Sequence, residues 1–327
     1  MTTSPEPRAD IILMTISIRE KILLLIKGFC MGTADVIPGV SGGTMAFILG
    51  IYTDLIRAIR SFDYPWLKSL IRFDGKEILG RPHFGFLLPL VTGICCALLF
   101  FTRVIPLPRL LIEYPEQIYG LFFGLISGSI MVMFQDMATL DLKAVVPLAV
   151  GVVLGALVFN MVPSETPETT WFIFLSGSLA ICAMILPGIS GSFVLLILNK
   201  YAYIFTAIGY FKIGILLPFA LGAITGLAIF SRILYYLLRS FYLNTVLIII
   251  GVLLASLWVI WPFQERIYET ILNKPQLLES VPYFPVEYDE QAIVTFVLMA
   301  AGFITVFVIN RFAGLKTVKS ANNHNPS

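Results

Sequence analysis

Long stretches of mostly apolar residues are the main pattern along this chain. Six of them run for eighteen residues or more, which is enough for a helix to cross the hydrocarbon core of a bilayer. Apolar residues follow one another in these stretches instead of alternating with polar ones, so the pattern predicts α-helices and not the strands of a membrane barrel. The predicted spans cover residues 84–102, 117–135, 144–162, 213–238, 243–262 and 291–310.

The composition supports the same class of protein. Of the 327 residues, 58% are hydrophobic and 13% are charged, whereas soluble domains are about a quarter charged. The formal net charge is +2, and because no basic tract resembles a nucleic-acid-binding patch, no nucleic-acid partner is predicted. The four cysteines lie in apolar segments, and the histidines, His83 and His324, do not form a metal cluster. We expect an all-α polytopic membrane protein without a metal site or a cleaved signal peptide.

Two short polar motifs interrupt apolar stretches. The first reads ADVIPGVSGGT at 34–44, and the second reads ILPGISGS at 185–192. Proline removes a backbone donor and clashes with the preceding turn, and successive glycines are poor helix formers. We therefore expect one helix to end near Ile37 and another to begin near Ser41, which is a good N-cap residue. The residues expected to shape the loops are Pro38, Gly39, Pro187 and Gly188.

The second half of the chain repeats the first. The two polar motifs lie in segments that align at a constant offset of 149, and further matches follow in the same order. An ordered series of this kind indicates an internal duplication, with repeats at 1–165 and 166–327. The aligned segments are 36–59 with 185–208 and 85–89 with 214–218, followed by Arg103 with Arg232 and Gly124 with Gly251.

Each break has two interpretations: a kinked single span that crosses the bilayer, or a re-entrant hairpin that returns to its own side. The distribution of charge favours the hairpin. With hairpins at 22–58 and 171–207 and a cytoplasmic N-terminus, 16 Lys and Arg residues lie inside and 6 lie outside. This is the bias that the positive-inside rule describes.

A hairpin plus three spans crosses the bilayer an odd number of times, so the second repeat begins on the opposite side. The sequence thus predicts two inverted-topology repeats, each a re-entrant helical hairpin plus three transmembrane helices, with both termini in the cytoplasm. This architecture is typical of secondary transporters, whose substrate sites lie near the midplane where broken helices meet.

The breaks have the chemistry of an anion-binding site. The first N–H groups of a helix have no partner within the helix and carry the positive end of its dipole. Glycines allow a ligand to approach the backbone, and hydroxyl groups add donors. The other interpretation is that Pro-Gly only turns a hairpin inside a packed interior. The residues expected to bind are Ser41, Gly42, Gly43, Thr44, Ser190, Gly191 and Ser192.

Asp35 is the only charged residue in the first break, and its repeat counterpart is Met184. An acidic residue inside a membrane is a functional candidate by default. Its charge could couple transport to protons, orient the loop or pair with an arginine, and a capping role is equally compatible with its position.

The stretches GTADVIPGVSGGTMAFILGIYTDLI and ILPGISGS resemble the hallmark motifs of the PopT-type polyprenyl-phosphate translocases, and the resemblance covers nearly the whole chain. It implies a multi-pass protein of the bacterial cytoplasmic membrane. Such a protein would return undecaprenyl phosphate, the lipid carrier of cell-wall glycans, from the outer to the inner leaflet for peptidoglycan synthesis. The resemblance implies no cofactor and no catalytic residue; the partners are the polyprenyl phosphate and membrane lipids, and no oligomeric state follows.

Arg103 and Arg232 are candidates to contact the phosphate head, because they occupy equivalent repeat positions. The inverted topology assigns Arg103 to the outer side and Arg232 to the inner side. A guanidinium fork suits a phosphate group and stays charged at any working pH. The alternative is that both are interfacial arginines whose side chains extend to the lipid headgroups.

Two other functional classes fit the sequence less well. Membrane undecaprenyl-pyrophosphate phosphatases are similar in layout, but there an arginine follows the loop serine, whereas here Gly42 and Gly191 follow it. GVSGG at 39–43 matches the G-x-S-x-G nucleophile pattern, yet the two histidines lie in a loop and in the C-terminal tail, not within an apolar segment. The third class is a small-ion channel or exchanger.

Overall fold

The computed structural model describes residues 17–36, 41–105, 110, 113–135, 137, 142–161, 164, 166–271, 274–285 and 289–313. Within these ranges the chain forms fourteen helices and one pair of strands. The first half contains α1 (Ile18–Asp35), α2 (Gly42–Ile48), α3 (Tyr52–Arg60), α4 (Tyr64–Ile71), α5 (Gly75–Gly80), α6 (Phe84–Arg103), α7 (Pro115–Gln135) and α8 (Leu142–Phe159).

The second half has the same order of helices, with two omissions and one addition. It lacks counterparts of α4 and α5 in its described part, and it gains a β-hairpin before its last helix. Its elements are α9 (Thr170–Ile185), α10 (Gly191–Ile197), α11 (Tyr201–Gly209), α12 (Ile213–Ser240), α13 (Tyr242–Val259), β1 (Gln264–Ile271), β2 (Lys274–Pro282) and α14 (Glu290–Ala313).

In the part of the chain that the structure describes, five helices are long and apolar enough to cross a bilayer: α6, α7, α12, α13 and α14. Helices α8 and α9 are also apolar but somewhat shorter, and the chain bends by 112° between α10 and α11. The protein is therefore an α-helical polytopic membrane protein, as the apolar stretches predict. Many large apolar side chains on these helices face outward, which suits a surface that contacts lipid.

Within each half, the helix before the break packs in parallel with the helix that follows the hairpin segment. Both pairs come close through glycines, because a Cβ atom at those positions would overlap the neighbouring backbone. Contacts that advance by four residues on both helices mean that the two chains run in the same direction. They are Gly28 with Leu90 and Gly32 with Ile94 between α1 and α6, and Phe174 with Gly222 and Ser178 with Gly226 between α9 and α12.

The remaining long helices pair across the two halves. Helix α7 of the first half packs on α14 of the second, and α13 of the second half packs on α8 of the first. These pairs are also parallel, since their contacts advance together along both helices. They are Gly120 with Thr295, Gly124 with Met299 and Gly128 with Phe303 in one pair, and Gly151 with Ile248 and Gly155 with Val252 in the other.

The hydrophobic core surrounds the first break more than the second. Side chains of α2 and α3 join those of α6, α7, α12 and α13 in the main cluster, whose most buried members include Ile56, Leu90, Ile126 and Leu253. Next to the second break, Ala183, Ile189 and Val252 form a separate small cluster. The two breaks therefore have matching local sequences, but the first is packed in the main core and the second is not.

The β-hairpin is an element that the sequence analysis did not include. Its strands pair antiparallel from Gln264 opposite Pro282 to Ile271 opposite Lys274, with an irregularity after Ile267. Trp261 Nε1 donates a hydrogen bond to the carbonyl of Tyr283 at 3.0 Å, which closes the base of the hairpin. An aromatic group that includes Trp261 fixes this base against α7.

Helices α4 and α5 form a small unit outside the spans. Asp63 caps α4 by accepting a hydrogen bond from the Trp66 N–H at 2.9 Å, and it forms a two-point ion pair with Arg81. Burial acts to raise the pKa of the Asp63 carboxyl, but the hydrogen bonds and charge of Arg81 and the Trp66 N–H outweigh it and hold the pKa below the usual 3.8.

Candidate functional site at two polar helix breaks

The first break lies between α1 and α2 and is closed by two side chains. Ser41 has an extended backbone and is the N-cap of α2, as the sequence predicts; its Oγ accepts a hydrogen bond from the Thr44 N–H at 3.3 Å. Asp35, the last residue of α1, accepts a hydrogen bond from the Gly42 N–H at 2.7 Å through Oδ1. Pro38 and Gly39 lie outside the described residues.

Asp35 thus has a capping position in this conformation. Its carboxylate lies at the positive end of α2, where a negative charge is stabilised. A Cβ atom at Gly42 would be 2.7 Å from Oδ2 and 2.9 Å from Oδ1 of Asp35, so a glycine is needed for the carboxylate to approach. The N–H group that the sequence assigns to a bound anion is here paired with the protein's own carboxylate.

The second break, between α9 and α10, is more open. Pro187 precedes Gly188, whose φ of +92° lies in a region that glycine adopts without strain. Ser190 is the N-cap of α10, but its side chain makes no cap hydrogen bond. Instead, the Ser190 and Ser192 hydroxyls share a hydrogen bond of 2.7 Å, and Ser192 is exposed.

The two breaks touch each other. Thr44 is completely buried, and its Oγ1 accepts a hydrogen bond of 2.7 Å from the Gly188 N–H. Ser41 Oγ donates to the Leu186 carbonyl at 3.5 Å. The hydroxyl of Tyr52, which aligns with Tyr201 at the offset of 149, donates a hydrogen bond to the Ile185 carbonyl at 3.1 Å. Polar groups that are 133 or more residues apart in the sequence thus meet inside the molecule.

The backbone of the second break fills the space beside Gly43. A Cβ atom at this position would lie 2.7 Å from the Ile185 carbonyl oxygen and 3.0 Å from that of Met184. The repeat counterpart of Gly43 is Ser192, which carries a side chain and remains exposed. At the second break, Gly191 lies close to the Ala180 carbonyl of its own hairpin segment.

The two candidate arginines lie away from these contacts. Arg103 is the last residue of α6 and is exposed. Arg232 is exposed on α12 and donates a hydrogen bond to the Ala228 carbonyl of its own helix. Among the described contacts, neither arginine reaches a residue of a break. The structure therefore joins Ser41, Gly43 and Thr44 to the backbone of the second break and joins Asp35 to Gly42. Ser190 and Ser192 bond each other, and the arginines lie apart.

Two lysine contacts, one partly buried at Lys27 and one buried at Lys200, were not anticipated from the sequence. Lys27 Nζ donates to the carbonyl of Leu49, the C-cap of α2, at 3.0 Å. In the other repeat, Thr166 donates to Leu198, the C-cap of α10, and Lys200 Nζ donates to the Thr166 carbonyl at 2.8 Å. A donor at the end of each short helix satisfies a carbonyl that the helix leaves unpaired. The sequence signal was a lysine within a largely apolar stretch.

Comparison with known proteins identifies the family. The family model described as undecaprenyl phosphate translocase-like matches residues 31–277. The chain belongs to this family. A polyprenyl-phosphate transporter of Vibrio cholerae is 36% identical over 297 residues, which cover 88% of this chain and 96% of that protein. A polyprenyl-phosphate transporter of Staphylococcus aureus is 30% identical over 263 residues, 74% of this chain and 87% of the relative.

The family resemblance inferred from the two motifs is thereby confirmed. The matched residues include both breaks, the last turn of α1, helices α2 to α13 and the first strand. No solved structure matches the chain significantly.

Proposed function

We propose that this protein transports undecaprenyl phosphate from the outer to the inner leaflet of the bacterial cytoplasmic membrane, so that the carrier lipid is reused in cell-wall glycan synthesis. Its two relatives are named as polyprenyl-phosphate transporters and not as enzymes. The observation that carries the proposal is the meeting of two polar breaks inside an apolar helical protein. Hydroxyl and N–H groups at this depth suit an anionic head, and the apolar surroundings suit an isoprenoid tail.

We propose further that the two repeats are inverted. If successive long helices cross the bilayer in alternating directions, repeats of the same orientation would make α7 and α14 antiparallel. Inverted repeats make them parallel, and the same holds for α8 and α13. The residue-by-residue contacts of both pairs run in parallel, which supports inversion.

The same reasoning supports re-entrant hairpins. Helices α1 and α6 run in the same direction, so the chain between them must return to the side from which α1 starts. A kinked span at the first break would make α6 antiparallel to α1. The parallel pair of α9 and α12 gives the same result for the second break, and the 112° bend between α10 and α11 accords with a returning segment. The charge distribution then assigns both termini to the cytoplasm.

The phosphate head is proposed to bind between the breaks. In the present conformation the second break offers exposed hydroxyls, whereas Ser41 and Thr44 are buried against it. We assign Arg103 to the reception of the head on the outer side and Arg232 to its release inside, because a guanidinium group on each side can attract the charge. The proposed phosphate-binding residues are Ser41, Gly42, Gly43, Thr44, Ser190, Gly191, Ser192, Arg103 and Arg232, with Pro38, Gly39, Pro187 and Gly188 shaping the loops.

The decisive experiment is leaflet-resolved transport in proteoliposomes. Fluorescent undecaprenyl phosphate is placed in both leaflets, and a membrane-impermeant quencher reports the fraction on the outside over time. We expect exchange that is faster than in protein-free vesicles and that competes with unlabelled lipid. An unchanged rate would refute the proposal. Phosphate release from undecaprenyl pyrophosphate, or dissipation of an ion gradient without lipid movement, would instead indicate a phosphatase or an ion channel.

A further inference from the structure

Two tyrosines that occupy the same repeat position are used differently. Tyr52 and Tyr201 are related by the offset of 149. Tyr52 is 3% exposed, and its hydroxyl donates to the Ile185 carbonyl of the opposite repeat at 3.1 Å. Tyr201 is partly exposed and stacks on Phe205 at 5.7 Å. Within the described part of the chain, the Tyr201 hydroxyl makes no hydrogen bond.

The carbonyl that Tyr52 binds also has a repeat counterpart. Subtracting the offset of 149 from Ile185 gives Val36, which directly follows the last residue of α1. The contact that mirrors the Tyr52 bond is therefore one between Tyr201 and the Val36 carbonyl. Both carbonyls lie at the end of the helix that leads into a break, so each tyrosine has an equivalent acceptor on the opposite repeat.

The helices that carry these tyrosines follow the same asymmetry. Helix α3 packs against α12 of the other repeat, where the Arg60 guanidinium lies 4.0 Å from the centre of the Tyr235 ring. Helix α11 packs against α10 and α12, both of its own repeat. Gly209 is the counterpart of Arg60, and a Cβ atom there would meet nothing within 4 Å. One half of the molecule is closed across the repeats, and the other half is open.

We propose that Tyr52 and Tyr201 are positioning residues that hold the two breaks together alternately. Tyr52 binds the Ile185 carbonyl in the conformation described here, and Tyr201 binds the Val36 carbonyl in the opposite one. This inference rests on the inverted repeats of the proposed function. The exchange conserves one buried hydroxyl-to-carbonyl bond, so neither conformation leaves the acting hydroxyl unpaired. The phosphate head would enter through whichever side has lost its tyrosine contact.

The closed side is the one assigned to the cytoplasm. The end of α3 lies beside the start of α6, since the His83 N–H donates to Ser61 Oγ at 3.4 Å, and this end is on the side of the N-terminus. The open side therefore faces outward, with Ser190 and Ser192 accessible to an incoming lipid head. Because the Arg60–Tyr235 contact has no counterpart in the other half, it favours this outward-open conformation at rest.

The test measures which side of the membrane reaches the second break. Cys30, Cys95, Cys96 and Cys182 are replaced, and Ser192→Cys then reports access of a membrane-impermeant thiol reagent in vesicles of either orientation. We expect labelling of the otherwise unmodified reporter protein from outside. Tyr52→Phe should lower the outside labelling rate about three- to tenfold and raise labelling from inside, because the closed cytoplasmic contact loses a hydrogen bond.

The reciprocal variants make the result specific. Tyr201→Phe should leave outside labelling the same or faster and yet slow lipid transport, because the opposite closed state is lost. Tyr203→Phe removes a hydroxyl from the same helix and is the matched control; it should behave as the parent protein. Arg60→Ala should shift labelling in the same direction as Tyr52→Phe. It also keeps the inference testable if Tyr52→Phe does not fold, since Arg60 lies at the exposed end of α3.

Unchanged labelling in folded Tyr52→Phe, or in Arg60→Ala if the former does not fold, would overturn the inference. A Tyr201→Phe variant with parental transport would overturn it as well. Transport is measured with the native serine at position 192, so the proposed function and the proposed tyrosine exchange are tested by different measurements. If the parent protein moves no undecaprenyl phosphate, the proposed function fails, whereas a labelling shift can still be observed.

Discussion

The two breaks have nearly the same local sequence and opposite surroundings. PGVSGG at 38–43 and PGISGS at 187–192 each lead into a helix of seven residues, and the helices begin at the equivalent positions Gly42 and Gly191. Yet Ser41 is 1% exposed and Thr44 is fully buried, whereas Ser192 is exposed and α10 contains no buried residue. Asp35 caps the first break, while Met184 stands at the matching position of the second.

The difference indicates that the sequence of a break supplies polar groups, whereas their surroundings determine whether these groups are already hydrogen-bonded within the protein. At the first break, N–H and hydroxyl groups are paired with Asp35 and with the backbone of the opposite repeat. At the second, the two serine hydroxyls pair only with each other among the described residues. The two break regions are therefore asymmetric in this conformation, one with its polar groups paired and the other open, although their sequences align.

The largest effect is expected from making the first break resemble the second. Gly43→Ser introduces a Cβ atom 2.7 Å from the Ile185 carbonyl oxygen and should destabilise the protein by about 3 kcal/mol, near the upper end for overpacking. Thermal unfolding in detergent measures this. The reciprocal Ser192→Gly removes an exposed side chain and should change stability little. Equal effects of the two variants would contradict the unequal packing of the breaks.

Thr44→Val tests the hydrogen bond that joins the breaks. Valine keeps the shape of the side chain but leaves the Gly188 N–H without its acceptor, so we expect a loss of about 2 kcal/mol in unfolding free energy. Ser192→Ala at the exposed break is the comparison and should be close to neutral in the same unfolding assay. If Thr44→Val is also neutral, the contact between the breaks contributes little to the fold.

Arg103→Lys and Arg232→Lys test whether both sides of the path contact the phosphate head. A lysine keeps the charge but not the fork, so each variant should weaken undecaprenyl-phosphate binding by about 1.4 kcal/mol, or tenfold in Kd. Binding is titrated with the lipid in detergent. Arg239→Lys, near the end of α12, provides a control outside the proposed site. Parental affinity in both variants would leave Arg103 and Arg232 as interfacial anchors.

Asp35→Asn separates charge from capping at the first break. The amide oxygen can still accept the Gly42 N–H bond, so the variant should fold and express normally. We expect transport to lose its dependence on pH, because the side chain no longer exchanges a proton. The assay is lipid transport at several pH values, with Asp54→Asn as a control for neutralising an acid elsewhere. Retained transport with the same pH response would assign Asp35 a capping role alone.

The smallest effect concerns the α4–α5 unit, for which the second repeat has no described counterpart. The lowered pKa of Asp63 stabilises the folded state above the pKa of the unfolded chain, and this contribution is lost as the pH falls through the folded value. Because the ion pair with Arg81 is partly exposed, Asp63→Asn should cost about 0.5 kcal/mol at neutral pH. The difference from the parent protein in thermal unfolding should disappear in acid; a constant difference would argue against the ion pair.

The sequence by itself determined the helical membrane class and the location of the breaks, and the ordered matches between its halves predict the duplication. Apolar length, proline and glycine act on a few neighbouring residues, so their effects can be read locally. The N-cap role of Ser41 follows from the same local chemistry and agrees with the structure. The two motifs were also sufficient to predict the family, and the family model and the relatives confirm that prediction.

Only the tertiary structure decided which polar groups are satisfied, and by what. The Asp35 carboxylate reaches Gly42 because the chain folds back on itself, and Thr44 meets Gly188 because distant helices pack together. The β-hairpin likewise depends on aromatic contacts at its base, and Tyr52 and Tyr201 differ although their repeat positions match. Such contacts join residues far apart in the chain, and their energies depend on burial and distance that a local pattern does not contain.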